Sequence, residues 1–143
     1  MAGTTPFQSL VRLLSARERT AADLRARLAR KGFPPSAIEA SLERAIALGY
    51  VDDLRTARTK AAALFARGVP RALIEQKLQA AGVSPGPLSA VMLEAPDEQE
   101  LARTALQRRF RSKLPAGDRA ARYLAAKGFD PDLITDLLRN LPG

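Results

Sequence analysis

The feature that most constrains this chain is one pattern that occurs three times without gaps. It reads Leu28-Ala-Arg-Lys-Gly32-Phe33-Pro-Pro35-Ser-Ala-Ile38 with Leu42 following, and Leu78-Gln-Ala-Ala-Gly82-Val83-Ser-Pro85-Gly-Pro-Leu88 with Met92 following. The third copy is Leu124-Ala-Ala-Lys-Gly128-Phe129-Asp-Pro131-Asp-Leu-Ile134, followed by Leu138. The glycines stand 50 and then 46 residues apart. Self-similarity at such a period marks a repeat architecture, in which each copy is one supersecondary unit.

Every position of the pattern has a physical role. The glycine ends a helical stretch where the chain turns into the left-handed region, which a residue without a Cβ enters cheaply. The apolar residue after it can fold back on the helix just ended. The proline suits the first turn of the next helix, where its missing N–H would have had no partner. Ser84 and Asp130 stand just before their prolines, in N-cap position. Ile38 and Leu42, Leu88 and Met92, and Ile134 and Leu138 place two apolar side chains one turn apart on a single face. Each copy therefore reads helix, sharp corner, helix.

Upstream of each copy there is room for one more helix. Phe7, Leu10 and Leu14 share a face, with Leu13 beside them. Asp53 is placed to cap a helix carrying Ala57, Ala61, Leu64 and Phe65, and Asp97 to cap one carrying Leu101, Ala105 and Leu106. Thr20 and Asp23 have capping-box spacing ahead of Leu24 and Leu28. No segment carries the alternation of a strand. The expected fold is all-α, an elongated tandem array of three three-helix units with about nine helices, the units spanning 1–52, 53–95 and 96–143. The corners Gly49–Asp53 and Ala95–Asp97 are too short to be flexible linkers, so neighbouring units should pack or hinge. Gly86-Pro87 should delay or weaken the last helix of the middle unit, and Ser112–Asp118 is the stretch expected to be mobile.

Composition removes whole classes of function. Aromatics are only 5% of the chain while apolar residues are 46%, so Ala and Leu, both strong helix formers, must do the packing. There is no Cys and no His, which excludes disulfides, thiolate and imidazole metal ligands, and histidine proton shuttles. Neither a Gly-x-x-x-x-Gly-Lys loop nor a Gly-x-Gly-x-x-Gly turn is present. No catalytic constellation emerges, so neither an enzyme nor a cofactor is expected. The acidic cluster Asp97-Glu98-Gln99-Glu100 sits where a helix N-terminus favours negative charge, so capping explains it better than a metal. No apolar signal core opens the chain and no run approaches the roughly 18 apolar residues of a membrane span. A soluble cytoplasmic protein, monomeric and without membrane contact, is the expectation.

Charge supplies the positive signal. Lys and Arg number 23 against 15 Asp and Glu, a net charge of +8. The excess is +3 over 1–52, +3 over 53–95 and +2 over 96–143, so a contact surface should run the length of the molecule. Such a balance points to a polyanion or an acidic protein surface. The binding candidates in the first unit are Arg25, Arg27, Arg30 and Lys31, on a helix whose buried stripe takes Leu24 and Leu28, with Arg17 and Arg19 just ahead. In the second they are Arg58, Arg71 and Lys77, accompanied by Arg55, Lys60 and Arg67. The third adds Arg108, Arg109, Arg111, Lys113, Arg119, Arg122 and Lys127. Arginine dominates, and its planar fork suits phosphate and carboxylate. The plainer account of any one of these arginines is a solvated helix face. Stacking platforms are scarce, and Tyr50, Phe110 and Tyr123 are expected in core or corner packing.

Taken in order, these residues resemble a known family. Leu28–Phe33 with Ile38, Leu42, Gly49-Tyr50-Val51-Asp52-Asp53 and Ala57, then Arg67-Gly68, Ile74, Leu78 and Gly82, then Leu124–Phe129 with Ile134 and Leu138, are similar to the three successive units of the RecX regulators of the bacterial RecA recombinase. The resemblance covers roughly residues 7–141. It implies a modular helical array lying along the groove of the RecA filament on single-stranded DNA, inhibiting strand exchange and ATP hydrolysis in most members and acting positively in some. Partners would be the RecA filament and single-stranded DNA, touched directly or through the filament, in homologous recombination, DNA repair and the SOS response. The chain departs from the family at Thr56, where a bulky aromatic is usual, and at Val69-Pro70, where Trp or Tyr is common. Two readings need no RecA: a nonspecific DNA-binding protein, and a helical-repeat adaptor between proteins.

Overall fold

Caps decide where the helices begin in the computed structural model, which describes residues 3–140. Helix α1 (Pro6–Ala16) opens on Thr5, whose hydroxyl accepts from the Gln8 amide while the Gln8 side chain accepts from the Thr5 amide, a complete capping box. Helix α2 (Ala21–Arg30) opens on Thr20 and α3 (Pro35–Ala47) on Pro34. Next come α4 (Asp53–Ala66), α5 (Arg71–Ala80) and α6 (Pro85–Glu94). The last three are α7 (Glu98–Arg109), capped by Asp97, α8 (Gly117–Lys127), and α9 (Pro131–Arg139), capped by Asp130. These nine helices, with no strand among the described residues, make the fold all-α.

One kind of corner closes most of them. The Gly32 amide donates to Ala29 and the Phe33 amide to Leu28, and the same pair of bonds joins Gly82 to Gln79 and Val83 to Leu78. It recurs from Gly128 to Ala125 and from Phe129 to Leu124. This is the Schellman arrangement, which satisfies carbonyls that the helix end leaves without partners. Gly49-Tyr50 ends α3 and Gly68-Val69 ends α4 in the same way. The residue after the glycine is buried at Val69, Val83 and Phe129, half-buried at Phe33 and exposed at Tyr50.

Helices α1 to α3 pack on one another, as do α4 to α6 and α7 to α9. The first triplet has its own core of Leu10, Leu24, Leu28, Ile38, Leu42, Ala45 and Val51. The second and third share one continuous cluster running from Ala57 to Leu137. The reason lies at Gly68. A Cβ there would sit 2.4 Å from the Ala105 nitrogen and 2.6 Å from the Leu101 oxygen, so only glycine lets the α4 corner reach the backbone of α7. The accessible surface is 8679 Å² for a 15.4 kDa chain. A compact monomer of that mass exposes about 7,200 Å². The excess is that of an elongated array.

Two local expectations change. Asp52, not Asp53, caps α4, accepting from the Arg55 amide; Asp53 lies one residue inside the helix and accepts from the Ala21 amide at 2.9 Å. Its carboxylate thereby satisfies the start of α2 instead of its own helix. Helix α6 begins at Pro85 in spite of Gly86-Pro87. Both prolines fall in the first turn, where no intrahelical N–H bond is lost. Ser84 precedes them without a side-chain cap.

Two joints connect the triplets. At the first, the wholly buried Thr20 hydroxyl accepts from the Asp23 amide and donates to the Ala81 carbonyl at 2.8 Å. Arg55 pairs there with Glu18 and also donates to the Gly49 and Tyr50 carbonyls. At the second, the Arg71 guanidinium donates to the Met92 and Pro96 carbonyls at 2.9 and 3.0 Å, while the Arg71 amide donates to the Glu98 carboxylate.

Gly68→Ala should lower the unfolding free energy by roughly 3 kcal/mol, about 1–2 from the left-handed backbone and the rest from forcing α4 off α7. Gly32→Ala has a positive φ but no atom within 4 Å of its Cβ, and should cost only about 1–2 kcal/mol. Urea unfolding followed by circular dichroism separates the two.

Candidate polyanion-binding surface

The helices carry the candidate cations outward, but many of these are already occupied. Arg25 makes a forked pair with Glu39 between α2 and α3, at 2.7 and 3.0 Å. Arg58 does the same with Glu94 between α4 and α6, at 2.7 and 3.2 Å. The hydrogen bonds from their arginines hold Glu39 and Glu94 below the usual carboxylate range, and raise the two guanidiniums in turn. Arg27 and Arg19 share the Asp23 carboxylate, at 2.9 and 3.3 Å. Burial opposes ionisation of Asp23, yet those two hydrogen bonds outweigh it and its pKa is lowered. Arg71 is engaged with backbone carbonyls at the end of α6. Arg122 faces Asp118 at a loose 3.7 Å.

The remaining candidates have no carboxylate within 4 Å among the described residues. These are Arg30, Lys31, Lys77, Arg108, Arg109, Arg111, Lys113, Arg119 and Lys127. Arg30 and Lys31 end α2 and Lys77 lies in the last turn of α5, where positive charge complements the helix dipole. Most of the others converge on the elbow between α7 and α8. The Arg109 and Arg119 guanidiniums lie over the Phe110 ring, 5.0 and 5.1 Å from its centroid. Phe110 meets Tyr123 edge to face at 5.5 Å, and the Lys127 ammonium lies over Tyr123 at 5.7 Å. Arg111 and Lys113 line an open cleft of about 250 Å³ with Phe110, Gln107, Ser112 and Leu114. Formal charge is spread evenly along the chain, whereas unpaired charge gathers at this elbow. One signal of it stands in the sequence: five cations and no acid between Glu100 and Asp118.

Other groups play parts that the sequence left unmarked. Arg44 lies over the Phe7 ring at 4.0 Å, and Phe7 stacks on Tyr50 at 6.3 Å. Tyr50 is 48% exposed, so it is not core packing; its ring borders a shallow cleft with Val11, Leu14 and Ser15. Phe110 and Tyr123 do pack against the larger core. Asp97 accepts from the Glu100 amide and Glu98 from Arg71, which gives the acidic cluster its structural use. Among the described residues no three metal-ligating side chains gather, and no helix is long and apolar enough to cross a membrane.

Comparison with known proteins bears on what such a surface serves. A family model described as RecX, first three-helix domain, matches residues 7–44. The Regulatory protein RecX of Trichlorobacter lovleyi is 34% identical over 141 residues, covering 92% of each chain. That of Syntrophotalea carbinolica is 38% identical over 136 residues, covering 88% of this chain and 89% of its own. The crystal structure of RecX from Lactobacillus salivarius superposes with a TM-score of 0.76 over 95% of this chain and 94% of that one. At 17% identity that likeness speaks to the fold, and it agrees with the helical array.

Asp23→Asn removes the negative charge shared by Arg19 and Arg27 and should cost on the order of 1 kcal/mol at neutral pH. Because the native pKa of Asp23 lies below its ordinary 3.8, the stabilisation is full above that value and is lost as pH falls through the native pKa. Wild type and variant should therefore converge in acid, as read by denaturant midpoints across pH.

Proposed function

Since this chain belongs to the RecX family, we propose that it is an inhibitory modulator of the RecA recombinase that binds along the groove of the RecA–single-stranded DNA filament and damps ATP hydrolysis and strand exchange. The observation that carries the reading is near-full-length identity to regulatory relatives, 34% and 38% in the two cited. In this reading 1–52, 53–95 and 96–143 are successive modules, each meeting its own part of the filament. The protein acts as a cytoplasmic monomer and by binding alone, with no cofactor and no catalysis of its own. An array whose joints are held by the Thr20–Ala81 and Arg71–Glu98 bonds is in good part preorganised, so little ordering entropy is lost on docking. Contact with several protomers at one spacing favours whichever filament state has that spacing, and turnover falls by that differential affinity.

A second reading, nonspecific DNA binding without RecA, is favoured by the unpaired cations around Phe110. The decisive measurement is RecA ATP hydrolysis on single-stranded DNA, titrated with this protein at fixed salt. A dose-dependent fall that excess DNA does not relieve is expected. An unchanged rate with folded protein would overturn the modulator reading.

A further inference from the structure

We infer that the α7–α8 elbow grips the phosphate backbone of single-stranded nucleic acid directly, through Arg109, Arg111, Lys113 and Arg119, without stacking on bases. This deepens the filament reading, on which it rests for its setting, by assigning nucleic acid rather than protein to one named element.

Helix stability accounts for only one of these four charges. A cation in the last turn of a helix complements the dipole, which covers Arg108 and Arg109 in α7. Arg111 and Lys113 lie beyond that helix, and Arg119 is the third residue of α8, where the dipole opposes positive charge. Helix α8 opens on Ala116 with no side-chain cap, and the one acid of its first turn, Asp118, faces Arg122 at 3.7 Å and not the four cations. Elsewhere the fold pairs Arg25, Arg19, Arg27, Arg55 and Arg58 with Glu39, Asp23, Glu18 and Glu94; here Arg109 and Arg119 lie over the Phe110 ring and Arg111 and Lys113 line the cleft it borders, and none of the four has a carboxylate within 4 Å among the described residues. Like charges held together without a structural return call for an anion that neutralises them.

The surroundings favour phosphate over an acidic protein surface. Protein interfaces have an apolar centre, whereas nucleic-acid interfaces are more polar and strongly positive. Of the large apolar side chains left exposed among the described residues, only Leu114 is at the elbow, at 39%; Val11, Ile46, Leu48, Tyr50, Leu73 and Leu93 lie elsewhere. Stacking is ruled out by geometry: Phe110 is half-buried, with guanidiniums over its ring and Tyr123 set against it edge to face. Its work is to hold Arg109 and Arg119 in place, and recognition falls to charge alone.

The test measures binding of labelled oligo-dT and oligo-dC, without RecA, across a salt series. Wild type should bind both within about twofold, since every base carries the same phosphate. Arg111→Ala/Lys113→Ala, folded by circular dichroism, should bind on the order of tenfold more weakly at low salt, with its salt slope reduced by about 1.4. Arg30→Ala/Lys31→Ala removes equal charge from α2 and should lose much less. An equal loss in both variants would reduce the effect to net charge and overturn the inference, as would a strong preference for one base. So would a double elbow variant that binds oligonucleotide like wild type but no longer holds the RecA filament, since the elbow would then touch protein. If wild type binds oligonucleotide as described yet leaves RecA turnover unchanged, the modulator reading fails and the elbow assignment stands.

Discussion

A glycine that ends a helix in the left-handed region governs this molecule at two scales. Locally, its amide and the next residue's amide close the last turn, and this happens at Gly32, Gly49, Gly68, Gly82 and Gly128. At longer range, two of these glycines are where one triplet touches the next. Gly68 presses on the backbone of α7, and a Cβ on Gly82 would lie 2.8 Å from the Thr20 hydroxyl. The residue that turns the chain also provides the bare surface on which the next module seats. Corner geometry and joint geometry therefore cannot vary independently.

The joints explain why the array does not divide evenly. Between α4 and α7 the approach is backbone to backbone, and small side chains at Ala61, Ala102 and Ala105 are wholly buried in the shared core. Close approach of this kind gains dispersion contacts over the whole face. Between the first two triplets the contact is instead polar: the Thr20 hydroxyl on Ala81, the Asp53 carboxylate on Ala21, and the Arg55–Glu18 pair. Its buried polar atoms are satisfied, but it joins two separate cores. A neutral hydrogen bond contributes about 1 kcal/mol and one to a charged group about 1.5–3. The two joints thus differ in kind, the first held by a few polar bonds and the second by a continuous apolar core.

Much of this was legible in the sequence, because the signals are local. Gly-apolar-x-Pro fixes a corner through backbone rules that act within six residues, and the three copies and the cap at Asp130 follow from it; the cap at Asp97 and the buried pair at Leu24 and Leu28 follow from equally local helix-start signals. What escaped was set by partners distant in sequence. Asp53 looks like a cap until Ala21, 32 residues away, is seen to take its carboxylate. Arg71 looks like a surface cation until the end of α6 is folded against it. Tyr50 looks like corner packing, yet it stands half exposed and stacks on Phe7 from the solvent side. In each case two candidate partners were visible, but the distance between them was not.

Charge shows the same division most clearly. The sequence distributes its excess as +3, +3 and +2, and a uniform binding face follows from that count. Folding then pairs Arg25, Arg27, Arg55 and Arg58 with acids from neighbouring helices or turns, and leaves Arg30, Lys31 and Lys77 at separate helix ends. The segment between Glu100 and Asp118 has no acid of its own, and none is brought to Arg109, Arg111, Lys113 or Arg119 by the packing of α7 to α9. Unscreened charge attracts a polyanion more strongly than charge already paired, since a paired guanidinium must first give up its carboxylate. A molecule with a nearly even count thus offers its cations unevenly, and at the elbow Arg109, Arg111, Lys113 and Arg119 can meet a phosphate without first leaving a carboxylate.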